Sequence, residues 1–161
     1  MARERLLVAD AGPVITLAAI GRFGLLRELA TEVVVPRRVF EEVVAGAPRA
    51  GAIEIRADWI RIADGRPELV DAFSLMVDRG EAEALAVAKD LPDCLLVMDD
   101  QRARRLANEL GLRFTGTLGM LDKGKRSGLV GSLRAEIGNL QRVGFRIAEN
   151  IATEFLRRAG E

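Results

Sequence analysis

The sequence predicts one α/β domain in which a mostly parallel sheet of five strands lies between two layers of helices. Its 161 residues fit a single domain of common size, and 49% of them are hydrophobic, which is enough for a core on both faces of a sheet. Short apolar runs alternate with helical patterns along the chain. Because these runs are continuously rather than alternately hydrophobic, they are typical of strands buried on both faces, as in parallel sheets.

Each predicted strand is a short apolar run that stops near a polar or turn-forming residue. The first run stops at Asp10, which Gly12 and Pro13 follow. The third run alternates in hydrophobicity, so we expect it at an edge of the sheet. The predicted strands are residues 6–9, 32–35, 59–62, 94–98 and 112–115.

Helices are predicted from periodic apolar positions and from their terminal residues. Residues 14–29 have helical spacing that breaks near Gly21 and Gly24, which indicates two short helices. Pro36 closes the second strand and begins the next helix. We see no linker and no internal repeat, so residues 1–161 are expected to form one domain. The other predicted helices are 37–44, 80–89, 101–110, one from 117, and those near 132–142 and 148–158.

The composition excludes several kinds of site. Histidine is absent, which removes Ser-His-Asp and Cys-His catalysis and zinc sites that need imidazole. The single cysteine, Cys94, lies in an apolar run and is expected to be a buried structural thiol. No apolar stretch approaches the roughly 20 residues of a membrane span, and the N-terminus does not resemble a secretory signal. We therefore expect a soluble, cytoplasmic protein without a membrane partner.

Charge is segregated along the chain, although its 24 basic and 24 acidic residues cancel overall. Residues 78–100 contain seven acids and two bases, whereas residues 101–130 contain seven bases and two acids. Two solvated helix faces explain such runs. The alternative is a metal cluster beside cations that hold phosphates.

Acidic residues stand where the predicted strands end. Ligands of open parallel sheets bind outside the carboxyl ends of the strands, which is where the sequence places Asp10 and the pair Asp99 and Asp100. Glu42 and Glu81 can join them if their helices begin at the same edge. The carboxylates of such a cluster repel one another unless protons or cations neutralise them. Hard oxygen ligands of this kind favour Mg²⁺ or Mn²⁺. A bound divalent cation supports phosphodiester hydrolysis without histidine.

Each of these acids also has a structural interpretation. Asp10 can be a turn or cap residue, Glu42 a solvated helix residue, and Glu81 a helix N-terminal charge that the dipole favours. Asp99 can cap the helix that follows it. Glu83 points to another side of its helix than Glu81, so we expect it to be solvated or ion-paired rather than bound to metal.

Five segments, in their order and spacing, resemble the PIN-domain family, in particular a branch of small prokaryotic proteins. They are residues 8–15 (VADAGPVI), 35–42, 80–84 (GEAEA), 98–104 and 116–119 (GTLG). The resemblance runs from about residue 6 to 129, and helices in residues 130–161 contribute little to it. It implies a PIN-like three-layer α/β/α fold whose acidic cluster binds one or two divalent cations and cuts single-stranded or structured RNA.

The resemblance also implies the roles of individual acids. By position, Asp10, Glu42, Glu81 and Asp99 are the metal-binding and catalytic acids, with Asp100 as an auxiliary ligand. Many PIN domains are toxins of toxin-antitoxin pairs, so an antitoxin partner is expected. A homodimer is expected as well, with apolar residues of the helices near positions 14 and 40 as candidate contacts.

Three further residues are candidates for substrate binding. Thr117 matches the Gly-Thr-Leu-Gly motif and can position a water or phosphate, although a helix N-cap is its ordinary role. Arg104 can anchor the acidic cluster or a phosphate. Lys125, with Lys123 and Arg126, can follow an RNA backbone or form an exposed helix end. With no tyrosine, one tryptophan and six phenylalanines, the chain has no obvious base-stacking platform, so we expect recognition by shape and phosphate.

The chain departs from the family pattern at one place. PIN proteins often carry a hydroxyl residue shortly after the first acid, where this chain has Ala11 and Gly12.

Two alternatives remain at this point. A Mg²⁺-dependent phosphohydrolase of the haloacid-dehalogenase type would use Asp10 as a nucleophile, but that family has a second Asp where Gly12 stands. A catalytically inactive PIN-like binding module is the other alternative, and the presence of all four core acids argues against it.

Overall fold

The five strands of the sheet are β1 (Glu4–Ala9), β2 (Ala30–Pro36), β3 (Ile60–Ala63), β4 (Cys94–Val97) and β5 (Arg113–Thr115). In this computed structural model, which describes residues 3–161, they lie in the order β3-β2-β1-β4-β5. Every neighbouring pair is parallel. The predicted five-stranded parallel sheet is therefore confirmed, with the alternating third strand at one edge.

Nine α-helices lie within the described residues. Gly21, whose φ is 73°, follows the first of them, so residues 14–29 are divided into two helices as predicted. None of the helices in this range is long and apolar enough to cross a membrane. The helices are α1 (Ala11–Ala19), α2 (Leu25–Leu29), α3 (Arg37–Ala45), α4 (Pro67–Phe73), α5 (Arg79–Asp90), α6 (Gln101–Glu109), α7 (Thr117–Arg126), α8 (Leu133–Arg142) and α9 (Glu149–Arg158).

The sheet has a hydrophobic core on each face because successive side chains of a strand point to opposite sides. Leu7 and Ala9 of β1 belong to the core formed with α1, α2, α3, α7 and α8. Leu6 and Val8 belong to the core formed with α4, α5 and α6. This arrangement confirms the three-layer α/β/α fold. It also explains why the strands are continuously hydrophobic.

The central strand β1 determines where a site can form. From β1 the chain crosses to β2 on one side, and it later returns to β4 on the other side. Such a reversal opens a crevice at the carboxyl ends of the two central strands. Ala9 pairs with Val97 in the parallel register, and the Asp10 N–H donates to the Val97 carbonyl over 3.0 Å. The residues that follow β1 and β4 therefore start from neighbouring positions.

One segment differs from the expectation. Helix α4 was not predicted, although Pro67 in its first turn and Glu68 after it are local signals for a helix start. Val14 is fully buried and Phe40 is half-buried, and a dimer contact by the apolar residues of their two helices stays a prediction. Cys94 is a buried free thiol, as expected.

The expectation that Glu83 is solvated or ion-paired was wrong. Its side chain is buried, and its carboxylate accepts the Arg38 N–H over 2.7 Å and the Gly65 N–H over 3.3 Å. Helix α3 follows Pro36, which offers no side-chain cap. Glu83 of α5 therefore satisfies an N–H in the first turn of α3 from outside that helix and joins three segments of the chain.

We predict that Glu83→Ala lowers the free energy of unfolding by about 1–3 kcal/mol, because two part-buried N–H groups lose their acceptor and a buried side chain is truncated. Glu83→Gln, which keeps an acceptor oxygen, is expected to lose less. Urea unfolding followed by circular dichroism measures both changes. Glu41→Ala, at an exposed acid of α3, is the matched control and should remain within about 0.5 kcal/mol of the parent. An alanine variant of Glu83 as stable as this control would contradict the structural role.

Candidate active site

Asp10 and Asp99 follow the carboxyl ends of the two central strands. Asp10 occupies the N-cap position of α1, but its side chain makes no capping hydrogen bond. It is only 6% exposed. Asp99 is separated from β4 by Met98, whose N–H donates to the Thr115 carbonyl over 2.8 Å. The edge predicted from the sequence therefore does carry both acids.

Asp99 is held by the beginning of α7. Its Oδ1 accepts the Thr117 N–H over 2.8 Å, and its Oδ2 accepts the Thr117 hydroxyl over 2.6 Å. Thr117 is fully buried and is the first residue of α7, where Gly116 takes the N-cap position. A Cβ on Gly116 would lie 2.6 Å from Oδ1 of Asp99, so the close approach requires glycine. Thr117 thus orients an acid instead of capping its own helix.

The helices α3 and α5 bring a second group of acids to this edge. A Cβ on Gly80 would lie 3.1 Å from Oε2 of Glu42 and 3.5 Å from Oδ1 of Asp78. The absence of a side chain at Gly80 therefore leaves room for both carboxylates. Asp78 also forms a capping box with Glu81: its Oδ1 accepts the Glu81 N–H over 2.8 Å, while Oε1 of Glu81 accepts the Asp78 N–H over 3.2 Å.

The pKa of Asp10 reflects its burial first and the neighbouring acids second. Burial raises the pKa of the Asp10 carboxyl to about 7, because the charged form loses hydration. The Ala11 N–H partly opposes this effect. The negative charges of Asp78, Glu42 and Asp99 raise the pKa of Asp10 further. Acids from four segments of the chain therefore act on one another electrostatically.

Glu81 is affected in the same direction. Burial, the hydrogen bond with Asp78 and the charges of Asp78 and Asp100 raise the pKa of Glu81 to about 8. Asp100 is the N-cap of α6, where its Oδ1 accepts the Ala103 N–H over 2.9 Å. Asp100, rather than Asp99, is thus the residue that caps the following helix.

The donor set of this edge suits a hard divalent cation. All of its donors are carboxylate oxygens, the kind of ligand that Mg²⁺ and Mn²⁺ prefer. Burial first, and the neighbouring negative charges after it, raise the pKa values of Asp10 and Glu81, and a bound cation would favour the charged forms of both. Within residues 3–161, no three acidic side chains are close enough together to form a complete ligand group. The type of donor thus fits a hard cation, whereas the spacing of these acids in residues 3–161 does not form a ligand group for one.

The structure brings together more acids than the sequence interpretation selected. Asp10, Glu42, Glu81 and Asp99 all lie at this edge, with Asp100 beside Glu81. Asp78 was missed as a site residue, although it belongs to the acidic run of the sequence. Its spacing from Glu81 matches the Asp-x-x-Glu pattern of a capping box, which marks the start of α5 and could have placed it at the edge.

The three candidate substrate-binding residues differ in their positions. Arg104 lies next to the acidic edge. A Cβ on Gly116 would lie 3.3 Å from Nη1 of Arg104 and 2.6 Å from Oδ1 of Asp99, so both groups approach the same position. Its guanidinium packs over the Phe114 ring, 5.2 Å from the centroid. Lys125 is in the last turn of α7, far along the helix from Thr117. It donates to the Gly131 carbonyl over 2.7 Å and pairs with Glu161, so the structure does not bring it to the acids.

The other cations near Lys125 are also engaged away from the acidic edge. Lys123 pairs with Glu4 at the beginning of β1, over 3.6 Å. Arg126 pairs with the buried Asp122 over 2.8 Å. The basic run of the sequence is therefore divided: α6 faces the acidic edge with Arg104, whereas the end of α7 lies toward the amino ends of the strands.

Comparison with protein families gives one match. The model of the family described as DUF3368, PIN domain, matches residues 6–161. The matched region includes α8 and α9, which the motifs between residues 6 and 129 do not reach. A comparison with curated proteins gives no significant match.

We predict that the metal-free protein loses stability as the pH rises from about 4 to 7. The folded state keeps a proton on Asp10 up to about pH 7, whereas the unfolded chain releases it near 3.8, so the folded state binds more protons in this window. Asp10→Asn should remove part of the decrease in the free energy of unfolding with rising pH. It should also stabilise the protein at pH 8 by several kcal/mol, since each tenfold difference in proton affinity corresponds to about 1.4 kcal/mol.

Urea unfolding in EDTA across this pH range measures the effect. Glu81 should leave a residual slope of the same sign in the Asp10→Asn variant. Asp58→Asn is the control, because Asp58 is an exposed acid that precedes β3 at the opposite end of the strands. A parent protein whose stability rises between pH 4 and 7, with the same slope in Asp10→Asn, would contradict the prediction.

We also predict that Thr117→Val weakens Mn²⁺ binding by about 10- to 100-fold, because Asp99 loses the hydroxyl that orients it. Thr117→Ser keeps the hydroxyl and should retain most of the affinity. Isothermal titration calorimetry measures both variants, and circular dichroism checks their folding. Equal affinities for the valine and serine variants would show that the hydroxyl has no part in orienting Asp99.

Proposed function

This chain belongs to the PIN-domain family DUF3368, and we propose that it is a divalent-metal-dependent endoribonuclease. PIN domains are generally nucleases, so the family supports a hydrolase that acts on phosphodiester bonds. The observation that carries the proposal is the gathering of acids around Asp10 at the carboxyl edge of the sheet. Such a cluster suits cation binding more than folding stability, since its members repel one another.

Four acids would hold the cation in this proposal: Asp10, Glu42, Glu81 and Asp99. Asp78, which adjoins Glu42 and Glu81, joins them as a further ligand or as the residue that orients Glu81. Asp100 stays auxiliary, because it caps α6. When bound, Mg²⁺ or Mn²⁺ supplies a polarised water and stabilises negative charge that develops on a phosphate.

The other residues of the site bind and orient. Thr117 holds the Asp99 carboxylate through two hydrogen bonds, which preserves its direction when a substrate arrives. The Arg104 guanidinium lies beside Asp99 and can donate to a phosphate oxygen from a fixed position on Phe114. Asp10, whose pKa is raised to about 7, can release and take up a proton near neutral pH.

The RNA preference and the biological role rest on the resemblance of the sequence motifs. The motifs resemble the branch of small prokaryotic PIN proteins, many of which are toxins restrained by an antitoxin. We propose the same role here, with RNA cleaved in the cytoplasm and an antitoxin as partner. A homodimer is part of this proposal, and analytical ultracentrifugation would determine the oligomeric state directly.

A catalytically inactive binding module is the second candidate. The observation in its favour is that no three acids within residues 3–161 are close enough to form a complete ligand group. In that case the acidic edge would bind a partner without hydrolysis. The phosphohydrolase alternative has no observation in its favour, because Gly12 replaces its second Asp.

We predict that the purified protein cleaves a mixed labelled RNA pool with Mg²⁺ or Mn²⁺ and that EDTA prevents cleavage. Asp10→Asn and Asp99→Asn should each reduce the rate by about a hundredfold or more, since the loss of an outer-shell partner alone costs about 10- to 100-fold at metal sites. Denaturing gel electrophoresis measures cleavage, and a matched single-stranded DNA pool tests the preference for RNA.

Asp58→Asn removes the same charge outside the site and should cleave at the rate of the parent protein. Circular dichroism confirms that each variant is folded. Metal-dependent cleavage that persists in both site variants would place the activity elsewhere or in a contaminant. No cleavage of either pool with any metal, by a folded protein, would favour the inactive module.

A further inference from the structure

A groove of roughly 700 Å³ adjoins the acidic edge, and Asp99 is one of the residues that line it. One wall consists of α6, β5 and the start of α7. The other wall includes α9, which contributes Ile151 and Phe155. The position of α9 therefore decides how wide the groove is next to Asp99.

Helix α9 packs on the domain only shallowly. None of its residues is buried, whereas α8 has four buried residues. Half-buried apolar side chains, among them Phe155 and Leu156, hold α9 against the core. Within residues 3–161, the side-chain hydrogen bonds and ion pairs of residues 149–158 all join residues of α9 itself. Helices with so few buried contacts open at a lower free energy than the helices of a core.

Glu161, three residues after α9, attaches the end of this helix to α8. Its carboxylate accepts the Leu133 N–H over 2.6 Å, the Arg134 N–H over 3.3 Å and the Ser132 hydroxyl over 2.9 Å. The two N–H groups belong to the first turn of α8, where they have no acceptor within the helix. Lys125 of α7 pairs with the same carboxylate over 3.4 Å. One side chain thus connects the end of α9 to two other helices.

These contacts also keep the Glu161 carboxylate charged. The Leu133 N–H has the largest effect, and together with the Ser132 hydroxyl and the Arg134 N–H it lowers the pKa of Glu161 to about 2, although desolvation partly opposes the shift. The attachment is therefore fully charged at neutral pH, and protonation does not release it there.

Asp122 is a buried acid on the face of α7 along which α9 lies. It comes one helical turn after Leu118 and one turn before Lys125, so the three residues share a face of α7. Leu118 lines the groove together with α9, and Lys125 pairs with Glu161. Asp122 is only 6% exposed, and within residues 3–161 its Oδ1 has no hydrogen-bond partner, while Oδ2 pairs with Arg126. A buried carboxylate oxygen without a donor is unfavourable, and displacement of α9 would return it to water.

We propose that α9 is a strap with a docked and a released position, that Glu161 holds it docked while the buried Asp122 favours its release, and that release opens the groove beside Asp99. The two acids act in opposite directions on one helix, so a small change in either contact shifts the balance between the positions. Access to the acidic edge is thereby regulated by a segment of the chain itself. This last step rests on the proposed nuclease function, whereas the two positions of α9 do not.

Hydrogen exchange of the whole chain at neutral pH, read by mass spectrometry, measures the docking of α9. Glu161→Ala should raise the exchange rate of peptides from residues 149–158 by about tenfold or more, because the attachment to α8 and α7 is lost. Glu161→Gln, which keeps an acceptor oxygen, should have a smaller effect. Asp122→Leu has the same branched shape without the polar atoms, and it should slow the exchange of α9 by about fivefold.

Glu154→Ala is the matched control, because Glu154 is an exposed acid of α9 whose ion pairs stay within the helix. It should change the exchange of α9 by no more than about threefold. Peptides from β1 and β4 should exchange at the rate of the parent protein in every variant. Exchange of α9 that Glu161→Ala leaves unchanged, or that rises only together with β1 and β4, overturns the strap.

Cleavage of the mixed RNA pool with Mn²⁺ is measured separately on the same variants. Release of the strap by Glu161→Ala should raise the rate several-fold, and Asp122→Leu should lower it. A parent protein with Asp10-dependent cleavage that neither variant changes would overturn the control of access by α9. If no variant cleaves RNA but the exchange of α9 responds as expected, the two positions of the strap are retained and the proposed function is lost.

Discussion

The parallel pairing of β1 with β4 is the constraint on which the site depends. It places Ala9 opposite Val97, so the chain segments that leave the two strands begin at the same edge. Asp10 follows directly, and Asp99 comes two residues after β4. Helices α3 and α5 add their acids to this edge because Gly80 leaves space between them. The cluster is therefore a consequence of strand order and of one small residue.

Glu83, Asp99 and Asp10 differ in what surrounds their carboxylates, and this difference distinguishes a structural acid from the candidate site residues. Glu83 is buried but accepts two backbone N–H groups, so its role is structural. Asp99 also has two donors, both from Thr117, which direct it toward the edge. Asp10 is buried, and this burial is the main cause of its raised pKa. Three neighbouring carboxylates raise this pKa further, and the Ala11 N–H opposes the shift only in part.

Most secondary structure was predictable because apolar periodicity and terminal residues are local signals. The acids Asp10 and Asp99 could be identified for the same reason, since each follows an apolar strand. Asp78 was missed although its capping-box spacing from Glu81 is a local signal, because the approach of α3 to α5 that brings Glu42 near it is not local. Glu83 was expected to be solvated or ion-paired because helical spacing shows only that it lies on another side of the helix than Glu81, without showing what packs there.

The sequence by itself determined a three-layer parallel fold with acids at strand ends, because hydrophobic burial and turn chemistry act over a few neighbouring residues. Only the tertiary structure decided which residues meet across elements. Thr117 binds Asp99 over 18 residues of sequence, and the rings of Phe114, Phe145 and Phe155 converge on one groove from three separate segments. Such contacts depend on how helices pack against the sheet, and that packing is a property of the whole chain.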